Sequence, residues 1–332
     1  MSLGLKPSNP APVAPKTAEE FKNPATTALR APQIVVRKLS DPSKTGLRLF
    51  LFGPAGSGKS FFIKDLLKNG WKVAVISTDI GGSGMAAVEA PLRREGSEAA
   101  LENGVDIEIR SFEELDAFLR NPAKFWPEIY DWDPDIIYWD GFGAFQQIEI
   151  NEYVGGMEGE SKKGPSEQRG SGLKLEQSDW GLVMNATIRS LDRFCSLHNR
   201  KTGKIWHKLV SAHENIKSVQ TGPTTSVLGE AKEPLLSGRG GIMARGAFDL
   251  ILKTQVRKAK PTEEGDSGGR VFEYCIAGHE NLAAKNRGFD FEGKAVIPGN
   301  GYLLFTEMLR QRGLSKDQID EKLKSLQENA PE

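Results

Sequence analysis

The feature that most limits the fold of this chain is a glycine-rich segment, residues 53–60, with the sequence Gly-Pro-Ala-Gly-Ser-Gly-Lys-Ser. The largely apolar residues 47–52 before it predict a buried strand, and the apolar spacing of residues 60–69 after it predicts a helix. Glycines allow the backbone to turn sharply and to point consecutive N–H groups inward. The segment therefore predicts a strand–turn–helix unit with a concave, N–H-lined turn.

The same segment matches the P-loop pattern G-x-x-x-x-G-K-[ST], which binds the phosphates of a nucleotide. Lys59 is expected to reach the β- and γ-phosphates, and the Ser60 hydroxyl is expected to hold Mg²⁺. A glycine turn without a nucleotide is the alternative, but the predicted strand and helix on either side favour the phosphate site. The candidate nucleotide-binding residues are Gly53, Pro54, Ala55, Gly56, Ser57, Gly58, Lys59, Ser60 and Phe61.

Predicted strands and helices alternate along most of the chain. This alternation predicts an α/β fold in which a mostly parallel central sheet is flanked by helices on both faces. The predicted strands are 47–52, 72–77, 105–110, 135–140, 208–212, 248–253 and 271–276, and the predicted helices are 60–69, 111–121 and 179–196.

The chain is predicted to have three parts. Residues 1–44 are proline-rich and are expected to form an extended arm, either a frayed tail or an arm that docks on a neighbouring subunit. Residues 45–300 are expected to form the α/β core, interrupted by long loops at 141–178 and 214–241. Residues 301–332 are expected to form a helical tail, since Ser315 and Gln318 have capping-box spacing.

Two aspartates follow predicted strands. Asp140 ends the apolar run 136–139, and ligands bind at the carboxyl ends of strands in α/β sheets, so Asp140 is a candidate Mg²⁺ ligand with Ser60. Asp79 follows the strand at 72–77 and is a candidate to activate the water that attacks the γ-phosphate. A strand-ending aspartate that caps a loop is the alternative for Asp140, and a helix or turn cap is the alternative for Asp79.

With these residues in order, the chain resembles the RecA-like P-loop ATPases, and among them the short RecA-type recombinases of bacteriophages that promote single-strand annealing. The resemblance covers roughly residues 45–290. The segment Asp140-Gly141-Phe142 resembles the family's Mg²⁺ carboxylate and the start of its first DNA-binding loop. The segment 210–215 resembles the strand that senses the γ-phosphate and leads into the second DNA-binding loop.

The resemblance also implies roles for individual residues. Asp79 stands where the family has its catalytic carboxylate, although the core recombinases use Glu there. His213 stands at the γ-phosphate sensor, where the family often has Gln. Lys285 and Arg287 resemble basic residues that reach across a subunit interface onto the neighbour's ATP. A solvated pair of cations is the alternative for these last two.

The resemblance therefore implies ATP and Mg²⁺ as cofactors, and ATPase activity with a DNA-stimulated rate. It implies single-stranded DNA as a partner, self-assembly into a filament or ring with ATP at the subunit interfaces, and a single-stranded-DNA-binding protein as a further partner. Three alternatives differ in chemistry: a ring motor such as a helicase or packaging protein, a nucleotide-dependent switch without annealing activity, and a small-molecule kinase.

The charge distribution bears on the DNA partner. The chain carries 44 Lys plus Arg and 44 Asp plus Glu, so neither a basic excess nor an acidic tail dominates. Residues 181–260, however, contain 14 basic and 5 acidic residues. Within them Lys217, Lys232, Arg239 and Arg245 fall in the second loop and are the predicted DNA contacts, with a solvated basic surface as the alternative.

The remaining composition favours a protein of the cytoplasm. No apolar run reaches the length of a membrane helix, and Cys195 and Cys275 are too few for a disulfide framework.

Overall fold

The computed structural model describes residues 46–78, 83–146, 148–150, 177–220, 227–236, 246–260, 269–276, 285–286, 288–291 and 296–313. All of them belong to one unit of the chain, Pro42–Glu332. The predicted arm, and the predicted helix that starts at Ser315, lie outside the described residues.

The first half of the described chain alternates strands with helices. Its elements are β1 (Arg48–Gly53), α1 (Lys59–Lys68), β2 (Val73–Ser77), α2 (Ser83–Arg94), a 3-10 turn (Glu98–Asn103), β3 (Gly104–Glu108), α3 (Phe112–Arg120), α4 (Pro122–Phe125), α5 (Ile129–Trp132) and β4 (Ile136–Asp140). Residues 142–146 and 148–150 are also helical.

The second half is richer in strands. Its elements are α6 (Gln177–Ser196), β5 (His207–Gln220), β6 (Val227–Pro234), β7 (Leu250–Lys258), β8 (Arg270–Cys275), β9 (Lys285–Asn286), β10 (Val296–Pro298) and α7 (Gly301–Gln311).

Eight strands form one sheet in the order β10-β8-β7-β1-β5-β4-β2-β3, with β6 paired to β5 and β9 paired to β7. The neighbours from β3 to β7 are parallel, and β8 and β10 are antiparallel additions at one side. The predicted α/β class with a mostly parallel sheet and flanking helices is therefore confirmed. Strand β1 lies beside β5 rather than beside β2, so β5 and β4 separate the first two strands of the chain.

Strand β1 is buried on both faces because its side chains alternate between two cores. Leu49 and Leu51 pack on one face against side chains of α1 such as Phe62 and Leu66; we call this the α1 face. Phe50 and Phe52 pack on the other face with residues of α3 and α6, which we call the α3 face. A continuous apolar run, rather than an alternating one, is therefore what this central strand requires.

Helix α7 closes the α1 face. Its side chains Leu304, Phe305, Met308 and Leu309 are buried in the same core as α1. Asn300 caps the helix by accepting a hydrogen bond from Leu303 N at 3.0 Å. A Cβ on Gly301 would lie 2.8 Å from the Phe62 Cα, so only glycine allows the start of α7 to approach α1 this closely.

Three local predictions are corrected by the structure. Residues 83–94 form α2, which the sequence pattern missed because glycines precede it and Pro91 lies inside it. The predicted loop at 141–178 begins with helical residues at 142–146 and 148–150. The predicted loop at 214–241 contains a β-hairpin, because β5 continues to Gln220 and returns as β6.

Lys208 is a buried cation in β5, at the opposite end of the sheet from residues 53–60. Its side chain is 1% exposed, and its ammonium donates to Leu197 O at 2.8 Å and to Trp206 O at 2.6 Å. Burial lowers the pKa of Lys208 to about 7. Burial also raises the pKa of the neighbouring Cys195 thiol to about 11.

We therefore expect the free energy of unfolding to rise between pH 7 and pH 8.5. The unfolded lysine has a pKa of about 10.4, so the unfolded state binds more protons here than the folded state, and Lys208 adds up to about 1.4 kcal/mol per pH unit. Above this window the Cys195 thiol opposes the rise. Urea unfolding of the Lys208→Met variant should have a smaller slope with pH, whereas the exposed control Lys201→Met should match the parent. Equal slopes for parent and Lys208→Met would contradict a titrating Lys208.

Within the described part of the chain, no helix is both long enough and apolar enough to cross a bilayer.

Candidate functional site

The glycine-rich segment forms the turn between β1 and α1 that the sequence predicts. Gly56 and Gly58 have positive φ angles of 72° and 97°, a conformation that non-glycine residues rarely adopt. A Cβ on Gly58 would also lie 2.5 Å from the Phe272 ring. The backbone angles therefore require glycine at both positions, and the packing of Phe272 requires it again at Gly58.

Lys59 folds back over this turn. Its ammonium donates to Gly53 O at 2.9 Å and to Pro54 O at 3.0 Å. Lys59 and Ser60 begin α1, whose first turn contains no acidic residue and whose N-terminal N–H groups carry partial positive charge. This combination of an ammonium and the N–H groups at a helix N-terminus fits a polyphosphate anion.

A buried hydrogen-bond chain holds the turn against β7. The Ser57 and Thr254 hydroxyl oxygens are 2.6 Å apart, and Thr254 donates to Phe52 O at 3.2 Å. Because the Thr254 proton is used on Phe52, Ser57 is the donor between the two hydroxyls. Thr254 is thus a site residue that sequence reasoning missed, since 197 residues separate it from Ser57.

Asp140 lies at the carboxyl end of β4, as the sequence predicts. Its Oδ1 accepts a hydrogen bond from Tyr138 Oη at 2.8 Å and a second one from the Ser211 hydroxyl. Burial, followed by the negative charge of Asp140, raises the pKa of Tyr138 well above its usual value, so Tyr138 remains a donor. These two hydroxyls fix the orientation of the Asp140 carboxylate.

The face on which Asp140 lies follows from strand alternation. Tyr138 packs in the core of the α1 face, and Asp140, two residues later, lies on the same face. Ser211 lies on this face as well, because Leu209 belongs to the same core. Residues 53–60 continue directly into α1, so the carboxylate and the P-loop lie on one face of the sheet at its carboxyl edge.

A second carboxylate lies near Asp140. Desolvation raises the pKa of Asp106 in β3, with a smaller contribution from the negative charge of Asp140, while Ser77 donates to Asp106 Oδ1 at 2.6 Å. Sequence reasoning missed Asp106 because the sequence of β3 does not show that β3 lies beside β2, two strands away from Asp140. Asp79, the predicted catalytic carboxylate, lies outside the described residues, but Thr78 before it donates to Asp140 O at 2.8 Å.

His213 lies level with the first glycine of the P-loop. It is paired with Gly53 in the register of β5 with β1, and its side chain is exposed. Ser211 and His213 lie on the same face by alternation. The structure thus places His213 beside the P-loop, where a sensor of a bound phosphate would have to lie.

The β5–β6 hairpin begins immediately after His213. Since β1 ends at Gly53, level with His213, the hairpin extends past the carboxyl edge of the sheet. Lys217 pairs with Ala231, and Lys232 pairs with Ile216, so two of the predicted DNA contacts lie on this hairpin. The other two, Arg239 and Arg245, lie outside the described residues.

The base of the hairpin is fixed to the site by close contacts. Glu214 Oε1 lies 3.1 Å from the ammonium of Lys253 in β7, and both side chains are buried. Leu235 N donates to His213 O at 2.7 Å. A Cβ on Gly143 would lie 2.7 Å from Leu235 O, so the chain after Asp140 also packs closely on this base.

The predicted intersubunit residues are only partly described. Lys285 pairs through its backbone with Ile251 of β7, and Arg287 lies outside the described residues. Their roles stay predictions.

Among the described residues, no three His, Cys, Asp or Glu side chains form a ready-made metal site. Mg²⁺ does not need one, because it is commonly held by one or two protein oxygens together with phosphate oxygens and water. Ser60 and Asp140 have the donor chemistry for such partial coordination.

Comparison of the chain with models of known protein families gives no match, and comparison with curated proteins gives none either.

Proposed function

We propose that this protein is a RecA-like ATPase that binds single-stranded DNA and promotes phage-type recombination, by strand annealing or exchange. The observation that carries the proposal is the position of β5. This strand separates β1, which ends in the P-loop, from β4, which ends in Asp140, and it continues past both as the β5–β6 hairpin. One strand thus joins the predicted nucleotide site to two of the predicted DNA contacts.

In this proposal the P-loop holds the phosphates of ATP through its N–H groups and Lys59, while Ser60 and Asp140 hold Mg²⁺. Bound Mg²⁺ would neutralise charge on the phosphates. The chain's own residues would do the rest: Asp79 accepts a proton from the attacking water, and His213 contacts the terminal phosphate. Lys285 and Arg287 reach a neighbouring subunit's nucleotide in a filament or ring.

The hairpin is the proposed route by which the nucleotide affects DNA affinity. His213 and Glu214 are consecutive, so a shift of His213 toward a bound phosphate moves the first hairpin residue as well. The Leu235–His213 hydrogen bond carries that shift to the end of β6, while the Glu214–Lys253 ion pair keeps the start of the hairpin tied to β7. Lys217, Lys232, Arg239 and Arg245 would then contact the DNA backbone. A cytoplasmic location belongs to the same proposal.

The test is ATP hydrolysis with and without single-stranded DNA, together with DNA affinity across a salt series. We expect DNA to raise the hydrolysis rate, and the logarithm of affinity to fall with the logarithm of salt with a slope of about −3 if four cations contact phosphates. The double variant Lys217→Gln, Lys232→Gln should lower this slope by about half, whereas Lys201→Gln should not change it. If DNA does not change the hydrolysis rate and no salt-dependent DNA binding is found, the proposal that this protein binds single-stranded DNA is refuted. ATP-driven strand separation would instead indicate the ring-motor alternative.

A further inference from the structure

An apolar surface lies next to the P-loop, on the side of β1 away from Asp140. It consists of Phe61, Phe272 and Val256, which we call the aromatic platform. The Phe61 and Phe272 rings are 4.3 Å apart between centroids, and Val256 lies opposite Phe272 in the pairing of β7 with β8. Phe61 is half-buried and Val256 is 37% exposed, so part of this apolar surface meets solvent.

The platform lies on the same sheet face as the P-loop. Leu252 and Tyr274 belong to the core of the α1 face, and Val256 and Phe272 lie an even number of residues from them along β7 and β8. Phe272 touches the P-loop directly, since it fills the space that a Cβ on Gly58 would need. The aromatic platform and the P-loop therefore form one continuous surface.

The order of strands indicates how a nucleotide bound at the P-loop would be oriented. Asp140 and Ser211 lie on β4 and β5, on one side of β1, whereas β7 and β8 lie on the other side. The metal-bound end of the phosphate chain belongs on the Asp140 side. The nucleoside end then points toward β7 and β8, and Phe61 is the residue that follows Ser60 at that end.

The rings are fixed in place rather than free to collapse. The Lys64 ammonium lies 4.6 Å from the Phe61 ring centroid and is itself held by Glu95 at 2.7 Å. The Arg270 guanidinium lies 5.9 Å from the Phe272 ring centroid. A positioned apolar surface of this kind suits a nucleobase, because the exposed parts of Phe61 and Val256 offer apolar contact area beside the phosphate site.

We infer that Phe61, Phe272 and Val256 form the nucleobase-binding platform of the P-loop site, so that the chain recognises a nucleoside triphosphate by its base as well as by its phosphates. This inference rests on the proposed nucleotide site. Phe272 supports the platform and shapes Gly58, while Phe61 and Val256 supply the surface that the base covers. The described platform residues carry no side-chain hydrogen-bond donor or acceptor, so they contribute by apolar contact area.

The experiment compares ATP with sodium tripolyphosphate, which has the phosphates without the base, by calorimetry on the full chain. In Phe61→Ala we expect the Kd for ATP to rise about 5- to 150-fold, the range for loss of one base–aromatic contact, and the Kd for tripolyphosphate to change less than about 2-fold. The matched control is Phe125→Ala, which removes an equally large, 46% exposed ring from α4. Equal losses for both ligands would mean that the ring only supports the loop, and would overturn the inference.

A second variant keeps the test valid if Phe61→Ala does not fold. Val256→Trp introduces an indole at an exposed position, and its added fluorescence should change with ATP and remain constant with tripolyphosphate. No response to ATP, or the same response to both ligands, would overturn the platform. The Lys59→Ala variant separates the two proposals. If it binds neither ATP nor tripolyphosphate, the phosphate site is supported whatever the platform variants show. If the parent chain itself binds neither ligand, the proposed function is refuted.

Discussion

The Lys59→Ala variant should bind ATP at least about 100-fold more weakly than the parent, a loss of about 2.7 kcal/mol. Lys59 is the cation of the P-loop, and a charge-assisted hydrogen bond to a phosphate oxygen is among the stronger polar contacts in proteins. In the described structure its ammonium is held by Gly53 O and Pro54 O, 2.9 and 3.0 Å away. Those oxygens hold the ammonium beside the turn. When a phosphate binds, the ammonium can therefore replace its hydrogen bonds to the carbonyl oxygens with hydrogen bonds to phosphate oxygens.

The fold should tolerate this substitution. The ammonium of Lys59 donates to carbonyls at a partly exposed site, and hydrogen bonds of this kind contribute only about 0.5–1.5 kcal/mol each to the free energy of unfolding. Urea unfolding should therefore show a small loss of stability beside the large loss of affinity. The matched control is Lys68→Ala at the other end of α1, where the ammonium pairs with Glu95 at 2.9 Å. ATP affinity that is unchanged in Lys59→Ala would remove the basis for a nucleotide site.

The central strands were predictable because burial on both faces leaves a strong local signal. Strand β1 is predicted as 47–52 and observed as Arg48–Gly53, and β4 is predicted as 135–140 and observed as Ile136–Asp140. Each run is apolar because the strand contacts a core on either side. The β5–β6 hairpin lacks this signal. Beyond His213 its strands extend past the carboxyl edge of the sheet, and the sequence of residues 214–241 is largely polar with several Gly and Pro residues, so it resembles a loop.

The turn at residues 53–60 was predictable for a different reason, because its conformation depends on residues that are neighbours in sequence. The residues that position it are distant in sequence. Thr254 bonds to Ser57 across 197 residues, and Ser211 bonds to Asp140 across 71. A serine or threonine in a strand has many possible partners, and only the order of strands in the sheet decides which one it meets. The sequence therefore predicts the turn at residues 53–60 but not the distant side chains that hold it and Asp140 in place.

The Asp140→Asn variant should retain the fold and lose hydrolysis. An asparagine keeps an oxygen that accepts from Tyr138 and Ser211, so the buried hydroxyls stay paired and the melting temperature should change by only a few degrees. The negative charge, however, is lost from the proposed Mg²⁺ site. We expect kcat for ATP hydrolysis to fall about 100- to 1,000-fold, the range found when a stabilising polar group is removed from an active site.

The design separates a metal ligand from a structural aspartate. Asp106→Asn changes a neighbouring carboxylate on the same sheet face, one that accepts from Ser77 rather than from Ser211, and we expect it to lower kcat less than about 10-fold. The dependence of kcat on Mg²⁺ concentration is the deciding measurement. If Asp140 holds the metal, Asp140→Asn requires more Mg²⁺ for half-maximal rate while Asp106→Asn does not. If both variants respond to Mg²⁺ as the parent does, the Asp140 carboxylate serves only a structural role, in which its contact with Ser211 joins β4 to β5.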